Sequence, residues 1–140
     1  MMPSLKFLAA ACALVIAAAA PAQAPMHARI VQPKNGDTVT TADVRVVVEA
    51  QGIEIAAAAE KRPGTGHHHL FLDTDLTAPD SMIPVGVSGI VHLGKGQSEY
   101  MFTAVPAGAH RLIDVVAGWD HVPIKPLVVD TIRFVVAAPH

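Results

Sequence analysis

Apolar and polar residues alternate with a period of two along most of the chain, a pattern typical of half-buried β-strands. The clearest case is residues 44–50, VRVVVEA, where Val44, Val46 and Val48 share one face of the predicted strand. β-Branched residues dominate this run, as they do in strands generally. Similar patterns predict six further strands, at residues 29–32, 67–73, 89–93, 98–105, 110–118 and 127–136.

Turn-forming residues separate these seven strands. PKNGD at 33–37 has the residue order of a tight turn, and GKGQ at 94–97 predicts a hairpin between the fourth and fifth strands. Two prolines at 120–126 favour a loop before the last strand. No helical pattern alternates with the strands, which disfavours a parallel α/β sheet. We therefore predict an all-β fold, an immunoglobulin-like antiparallel β-sandwich of seven strands preceded by a signal peptide.

The N-terminal segment has the three-part layout of a secretory signal peptide. Lys6 precedes 14 unbroken apolar residues at 7–20, and small residues follow Pro21. The apolar run is too short to span a bilayer as a helix, so a membrane anchor is the disfavoured alternative.

Two positions fit the small residues that signal peptidase requires at its cleavage site. Cleavage after Ala22 is expected, because cleavage after Ala24 would leave a proline as the new first residue. We therefore assign residues 1–22 to the signal peptide and residues 23–140, with a core at about 29–136, to a single domain. The mature protein is predicted to be periplasmic or secreted, with no membrane span.

Composition disfavours several classes of function. Cys12 is the only cysteine and leaves with the signal peptide, so the mature domain has neither a disulfide nor a thiolate ligand. Ten basic residues become nine when Lys6 is removed, against 12 acidic residues, and no basic stripe suggests nucleic acid as a partner. No enzyme is predicted, because Ser81, Ser88 and Ser98 lack the context of a catalytic nucleophile.

Histidines dominate the candidate chemistry. His67, His68 and His69 open the third predicted strand directly after a Gly-Thr-Gly turn. In an immunoglobulin-like sandwich, the connections that follow the second, fourth and sixth strands gather at one end. His92 precedes one of these connections and His121 lies in another. The fold hypothesis therefore brings five histidines to one pole of the domain.

Successive side chains of a strand point to opposite faces, so the three histidines of the third strand do not share one face. His67 and His69 share one face, whereas His68 shares the other face with the leucines that follow and is expected to point inward. His27 could approach the same pole. His110 opens the sixth strand, roughly 30 Å from His121 at ~3.3 Å per residue, and belongs to the opposite end. His110 and Asp114 are expected to be ordinary surface residues of that strand.

Imidazole is the commonest side-chain metal ligand, and it suits zinc and copper. Copper(II) or zinc are therefore the candidate cofactors, and a small polar ligand is the alternative occupant. A second hypothesis gives the histidines only a structural role, in which they hold loops by hydrogen bonds in a domain that docks to an envelope protein. The candidate metal ligands are His67, His68, His69, His92 and His121.

The mature chain resembles the DUF4399 family, a domain of unknown function in exported bacterial proteins, over about residues 29–136. The resemblance rests on QPKNGDTV (32–39), GTGHHHLFLD (64–73), VHLGKGQSE (91–99), VPAGAHRL (105–112) and DHVPIKPLVVD (120–130). It implies a small β-rich exported domain and no defined activity. By position, the histidines of the family fall on His67, His68, His69, His92, His110 and His121.

Overall fold

The structure is a computed structural model that describes Met1 and residues 14–139. Its strands are β1 (His27–Gln32), β2 (Thr38–Val39), β3 (Val44–Gln51), β4 (Glu54–Ile55), β5 (Thr65–Leu72), β6 (Ile90–His92), β7 (Glu99–Phe102), β8 (Gly108–Ala117) and β9 (Val129–Val136). A single 3-10 turn at Ala58–Glu60 is the only helical element in the described residues. The predicted all-β class is confirmed.

The strand count differs from the prediction. All seven predicted strands are present with shifted ends, but the described residues contain nine strands. The additional strands, β2 and β4, are two residues long, and a pair of residues is too short to show an alternating pattern.

The predicted signal peptide lies largely outside the described residues. Residues 14–25, which are described, are exposed and contain no strand or helix. Within the described part of the chain, no helix is long and apolar enough to cross a membrane.

The strands form two sheets. The smaller sheet has the order β1-β3-β7, and all its pairings are antiparallel. The larger sheet has the order β2-β9-β8-β5-β4, and β6 also pairs with β5. The central pairings, β5 with β8 and β8 with β9, are antiparallel. The two short strands differ from the predicted antiparallel sandwich, because β2 pairs with β9 and β4 pairs with β5 in parallel. The third and sixth of the predicted strands, β5 and β8, are thus neighbours in this sheet.

The segment 94–97 does not form the predicted hairpin. It connects β6, in the larger sheet, to β7, in the smaller one. The Ala58 N–H donates to the carbonyl of Gly94 at 2.9 Å, and Lys95 forms an isolated bridge with Ala57. These contacts hold the segment against the loop before β5. The segment therefore carries the chain from one sheet to the other and does not fold back as a hairpin.

Apolar residues pack between the two sheets. Strands β1 and β3 of the smaller sheet alternate buried and exposed positions, as expected when one face is covered. The main core joins both sheets and includes Val46 and Val48 from β3, Leu70 from β5, Leu112 from β8 and Phe134 from β9.

Strand β5 is buried on both faces. One face, with Leu70, contributes to the core between the sheets. The other face, with Phe71, packs with Ile83 and Val115 in a second apolar cluster. Ile83 belongs to the long segment that connects β5 to β6, and this segment covers the outer face of the larger sheet. The strand therefore offers two separate buried environments to its side chains.

Candidate metal centre

Strand β5 places His67 and His69 on the outer face of the larger sheet, the face of Phe71. They lie opposite Ala117 and Val115 of β8 in the antiparallel register. These partners are smaller than an imidazole, which leaves room above the sheet. Both histidines are nevertheless at most 1% exposed, because loops cover them.

His92 comes from β6 and is paired directly with His69 across the strands. Gly94 lies against its ring: a Cβ added to Gly94 would lie 2.5 Å from Nε2 of His92. Any side chain at position 94 would therefore displace the ring. The glycine keeps His92 directed toward β5.

His121 lies in the connection between β8 and β9, at the end of a turn that begins directly after β8. Its φ is +62°, and its N–H donates to the carbonyl of Gly118 at 2.8 Å. Its own carbonyl accepts a hydrogen bond from the N–H of Ile83 at 2.9 Å. The backbone of His121 is thus held on two sides, by its own turn and by the segment that covers the sheet.

The four rings converge. One ring nitrogen from each of His67, His69, His92 and His121 lies within 4.8 Å of each of the others. We call this set the four-histidine cluster. The Nε2 atoms of His67 and His92 are 3.0 Å apart, and the six distances between ring centroids range from 4.6 to 5.7 Å.

His69 forms the floor of the cluster. Its side chain is fully buried, and among the described residues neither Nδ1 nor Nε2 has a hydrogen-bond partner. A buried polar group without a partner costs about 1–3 kcal/mol. Such a group in a folded protein requires an explanation, and a bound ion or water is one that would satisfy it.

Burial lowers the pKa of these histidines. Desolvation, reinforced by the neighbouring imidazoles of His92 and His121, lowers the pKa of His67 to about 4. Desolvation, reinforced by the imidazoles of His67, His92 and His121, lowers the pKa of His69 to about 3, and desolvation also lowers the pKa of His92. His67 and His69 are therefore neutral at pH 7, the form that ligates metals.

His68 departs from the predicted ligand set. The structure places it on the inner face of β5, as alternation predicts, and away from the four-histidine cluster. Its Nδ1 lies 2.9 Å from both carboxylate oxygens of Asp114 on β8. Both side chains are at most 1% exposed. The prediction that Asp114 is a surface residue is wrong, because β8 is also covered on both faces.

The carboxyl group of Asp114 is strongly desolvated. Burial raises its pKa, and the hydrogen bond to His68 opposes that shift. Asp130 lies opposite Asp114 in the register of β8 and β9, and it accepts a hydrogen bond from the N–H of Ile30 at 2.8 Å. A buried polar pair thus lies directly beneath the cluster, on the other side of the same strand.

The remaining histidines lie elsewhere. His110 is bonded to Asp73 through Nδ1 and to the carbonyl of Pro106 through Nε2, at 2.6 and 2.7 Å. It orders the turn before β8, and it is buried, so the prediction that it is an ordinary surface residue is wrong. His27 is exposed on β1 and is not a member of the cluster. His140 lies outside the described residues.

Sequence reasoning missed two residues that shape the site. Asp114 occupies the apolar stretch LIDVVA, and a lone carboxylate in such a stretch is the signal for a buried polar partner. Gly94 follows His92 by two residues, and a glycine close to a predicted ligand indicates close approach of a ring or backbone.

Comparison with protein families identifies the domain. A sequence profile described as "Domain of unknown function (DUF4399)" matches residues 46–137, about two thirds of the 140 residues. The chain belongs to the DUF4399 family. This confirms the resemblance read from the sequence. All members of the four-histidine cluster, together with His68 and Asp114, lie inside the DUF4399 region.

The other comparisons concern the fold. No curated protein matches this DUF4399 chain. Among solved structures it is similar to an engineered protein, whose crystal structure was determined at 1.98 Å, with a TM-score of 0.52 and 12% sequence identity. The similarity covers 84% of this chain and 21% of that one, so the chain spans a small part of the matched protein. At this identity the likeness concerns the fold alone.

Removal of the Asp114 carboxylate is expected to destabilise the domain. Asp114→Ala leaves the ring of His68 buried without its partner and should lower the free energy of unfolding by about 1–3 kcal/mol. Asp114→Asn keeps an acceptor oxygen and should cost less. Urea unfolding measures both values. Asp75→Ala is the control, because Asp75 is 90% exposed in its pair with Arg111. Equal losses for Asp114→Ala and Asp75→Ala would contradict the buried pair.

The free energy of unfolding of the metal-free protein is expected to fall as the pH is lowered below about 6.5. The folded-state pKa values of His67 and His69, about 4 and about 3, lie below the unfolded value, so the unfolded chain binds more protons. Each histidine contributes a loss of about 1.4 kcal/mol per pH unit between its unfolded and folded pKa. Urea unfolding at pH 7 and pH 5 with a chelator measures the difference, and His27→Gln should leave it unchanged. Equal stability at the two pH values would show that the rings are not buried in this way.

Proposed function

We propose that this protein is a small exported binding module whose four-histidine cluster takes up a divalent metal ion, copper or zinc. The observation that carries the proposal is the convergence of four ring nitrogens within 4.8 Å of one another at one pole. These rings come from β5, the end of β6 and the loop between β8 and β9. Segments far apart in sequence thus direct the same chemical group toward one place.

Burial supports the proposal. Four imidazoles brought together in a largely desolvated site would ordinarily need hydrogen-bond partners. The orphaned ring of His69 has none among the described residues, and a bound cation would satisfy one of its nitrogens. Nitrogen-only ligands suit zinc, copper and nickel, whereas magnesium and calcium prefer oxygen.

One contact favours a second candidate function. The 3.0 Å separation of the Nε2 atoms of His67 and His92 is also the length of a hydrogen bond between two neutral rings. In this alternative the histidines only hold the loops together, and the domain docks to an envelope protein. A small polar ligand is a further alternative occupant, and it would enter a separate cavity of about 440 Å³ that is lined in part by Trp119 and Asp120 and by none of the four histidines.

We infer that the scaffold is immunoglobulin-like. Two observations support this: the order β1-β3-β7 in one sheet, and the order β9-β8-β5-β6 within the other. Such a sandwich presents the loops of one end as a group. This arrangement accounts for the collection of histidines from three segments at one pole.

We propose binding and not catalysis. In the described part of the chain, the histidine rings bond to aspartate, to another histidine or to a backbone carbonyl, and none bonds to a serine hydroxyl. A nucleophile activated by a histidine base would need such a contact.

We also propose that the protein is exported, to the periplasm or outside the cell, after removal of residues 1–22. The apolar run at 7–20 and the exposed residues 14–25 before β1 support an N-terminal segment that is separate from the fold. Intact mass measurement of the protein from the periplasmic fraction and the medium should give a chain that begins at Gln23. A full-length mass in the cytosol alone would contradict export.

Metal binding is tested by calorimetric titration of the tag-free mature protein with zinc and copper(II). We expect one ion per chain with micromolar or tighter affinity, and a higher unfolding temperature with metal because only the folded state holds the complete site. His92→Gln and His121→Gln, at half-buried positions, should each weaken binding at least about tenfold, a loss of about 1.4 kcal/mol. His27→Gln, at an exposed histidine outside the cluster, should bind normally.

Two results would overturn the proposal. One is the absence of binding heat and of any thermal shift with both metals, which supports the purely structural role. The other is binding that His27→Gln abolishes and the cluster variants retain, which would place the ion elsewhere.

A further inference from the structure

We propose that the four-histidine cluster is a closed tetrahedral centre that selects zinc(II) and uses it as a cross-link, fastening the end of β6 and the β8–β9 loop onto β5. This inference rests on the metal binding proposed above. It adds the identity of the ion and the role that the ion has in the domain.

The arrangement of the rings is tetrahedral and not planar. The centroid distances His67–His69 and His92–His121 are both 4.6 Å, and the other four distances are 4.8, 5.1, 5.2 and 5.7 Å. Four rings in the square plane that copper(II) prefers, with sides of this size, would have diagonals of about 7 Å. The longest observed separation is 5.7 Å. The six distances are instead nearly equal, as the edges of a tetrahedron are.

The size of the tetrahedron also fits zinc. Zinc binds imidazole nitrogen at about 2.0–2.1 Å, so ligand nitrogens around one ion lie about 3.4 Å apart and ring centroids about 5 Å apart. The observed centroid distances, 4.6–5.7 Å, bracket that value, and the ring nitrogens, which lie up to 4.8 Å apart, would move closer together around a bound ion. Zinc(II) has no ligand-field preference that opposes this geometry, whereas copper(II) would have to distort the site or accept a strained one.

Four protein ligands close the coordination sphere. Catalytic zinc sites keep a position for water and use three protein ligands, whereas structural sites use four. His67 and His69 are at most 1% exposed, and of the four ligands only His92 and His121 are partly exposed to solvent. A centre with this ligand count holds its ion as a structural element.

A cross-link is useful in this particular chain. Cys12 is the only cysteine in the sequence and lies in the predicted signal peptide, so the mature domain has no disulfide. Joining His67 to His121 closes a long loop, and closing long loops removes the most entropy from the unfolded chain. Two backbone hydrogen bonds lie beside the ligands: the Leu93 N–H to the His68 carbonyl at 3.0 Å, and the Ile83 N–H to the His121 carbonyl at 2.9 Å. A bound ion would restrain the segments that form both hydrogen bonds.

Cobalt(II) substitution tests the geometry. The mature protein with one equivalent of cobalt(II) should show the strong visible absorption of a tetrahedral complex, and one equivalent of zinc should remove it. The weak absorption of six-coordinate cobalt would overturn the tetrahedral centre but leave metal binding intact. Absence of cobalt, zinc and copper binding would overturn this inference together with the proposed function.

Hydrogen exchange tests the cross-link. Zinc should slow exchange of the Leu93 and Ile83 amides at least about tenfold, because their opening then requires release of a ligand. The amide of Val135, which donates to Asp37 at the far end of the sandwich, should change less. Zinc binding without added protection at either amide would overturn the cross-link.

A substitution at Gly94 can move the ring of His92 out of position while all four histidines are retained. Gly94→Ala forces the ring of His92 aside and should weaken zinc binding at least about tenfold and abolish the added protection. Lys95→Ala, at the exposed neighbouring position, is the matched control and should behave as the unmodified protein. Normal zinc affinity in Gly94→Ala would contradict a centre that depends on the position of His92.

Discussion

Burial of both faces of strand β5 is the constraint on which the site depends. A strand in the middle of a sheet, covered on one side by a second sheet and on the other by a long connection, sends neighbouring side chains into two separate interiors. Three consecutive histidines on such a strand cannot act as one group. His67 and His69 enter the outer interior, and His68 enters the inner one.

The two buried environments offer different hydrogen-bond partners to the histidine rings. The inner face supplies a carboxylate, Asp114, and the resulting pair is complete by itself. The outer face supplies only further imidazoles, and no described carboxylate bonds to any of them. Each neutral ring carries one donor and one acceptor nitrogen, but within the cluster only His67 and His92 lie at hydrogen-bond distance, and both nitrogens of His69 are left without a partner among the described residues. This mismatch, and not the number of histidines, makes the outer group the stronger candidate for a bound cation.

Particular residues show how far the sequence could be interpreted. The alternation of Val44, Val46 and Val48 predicted a strand because β3 belongs to a sheet with one covered face. The same reasoning failed for Asp114, because β8 is covered on both faces and its polar residue has no exposed side to occupy. The hairpin at 94–97 was wrong for a related reason. Glycines permit a turn, but the pairing partner of each strand depends on the rest of the fold.

The amino-acid sequence by itself determined the all-β class, the positions of seven strands, the family and the opposite facing of His67 and His68. These properties follow from local periodicity and from residue types. Only the tertiary structure decided which histidines meet, since His92 and His121 reach His69 through strand pairing and loop packing over long sequence separations. It also decided that His68 bonds to a buried aspartate, because the partner of His68 depends on the register between β5 and β8.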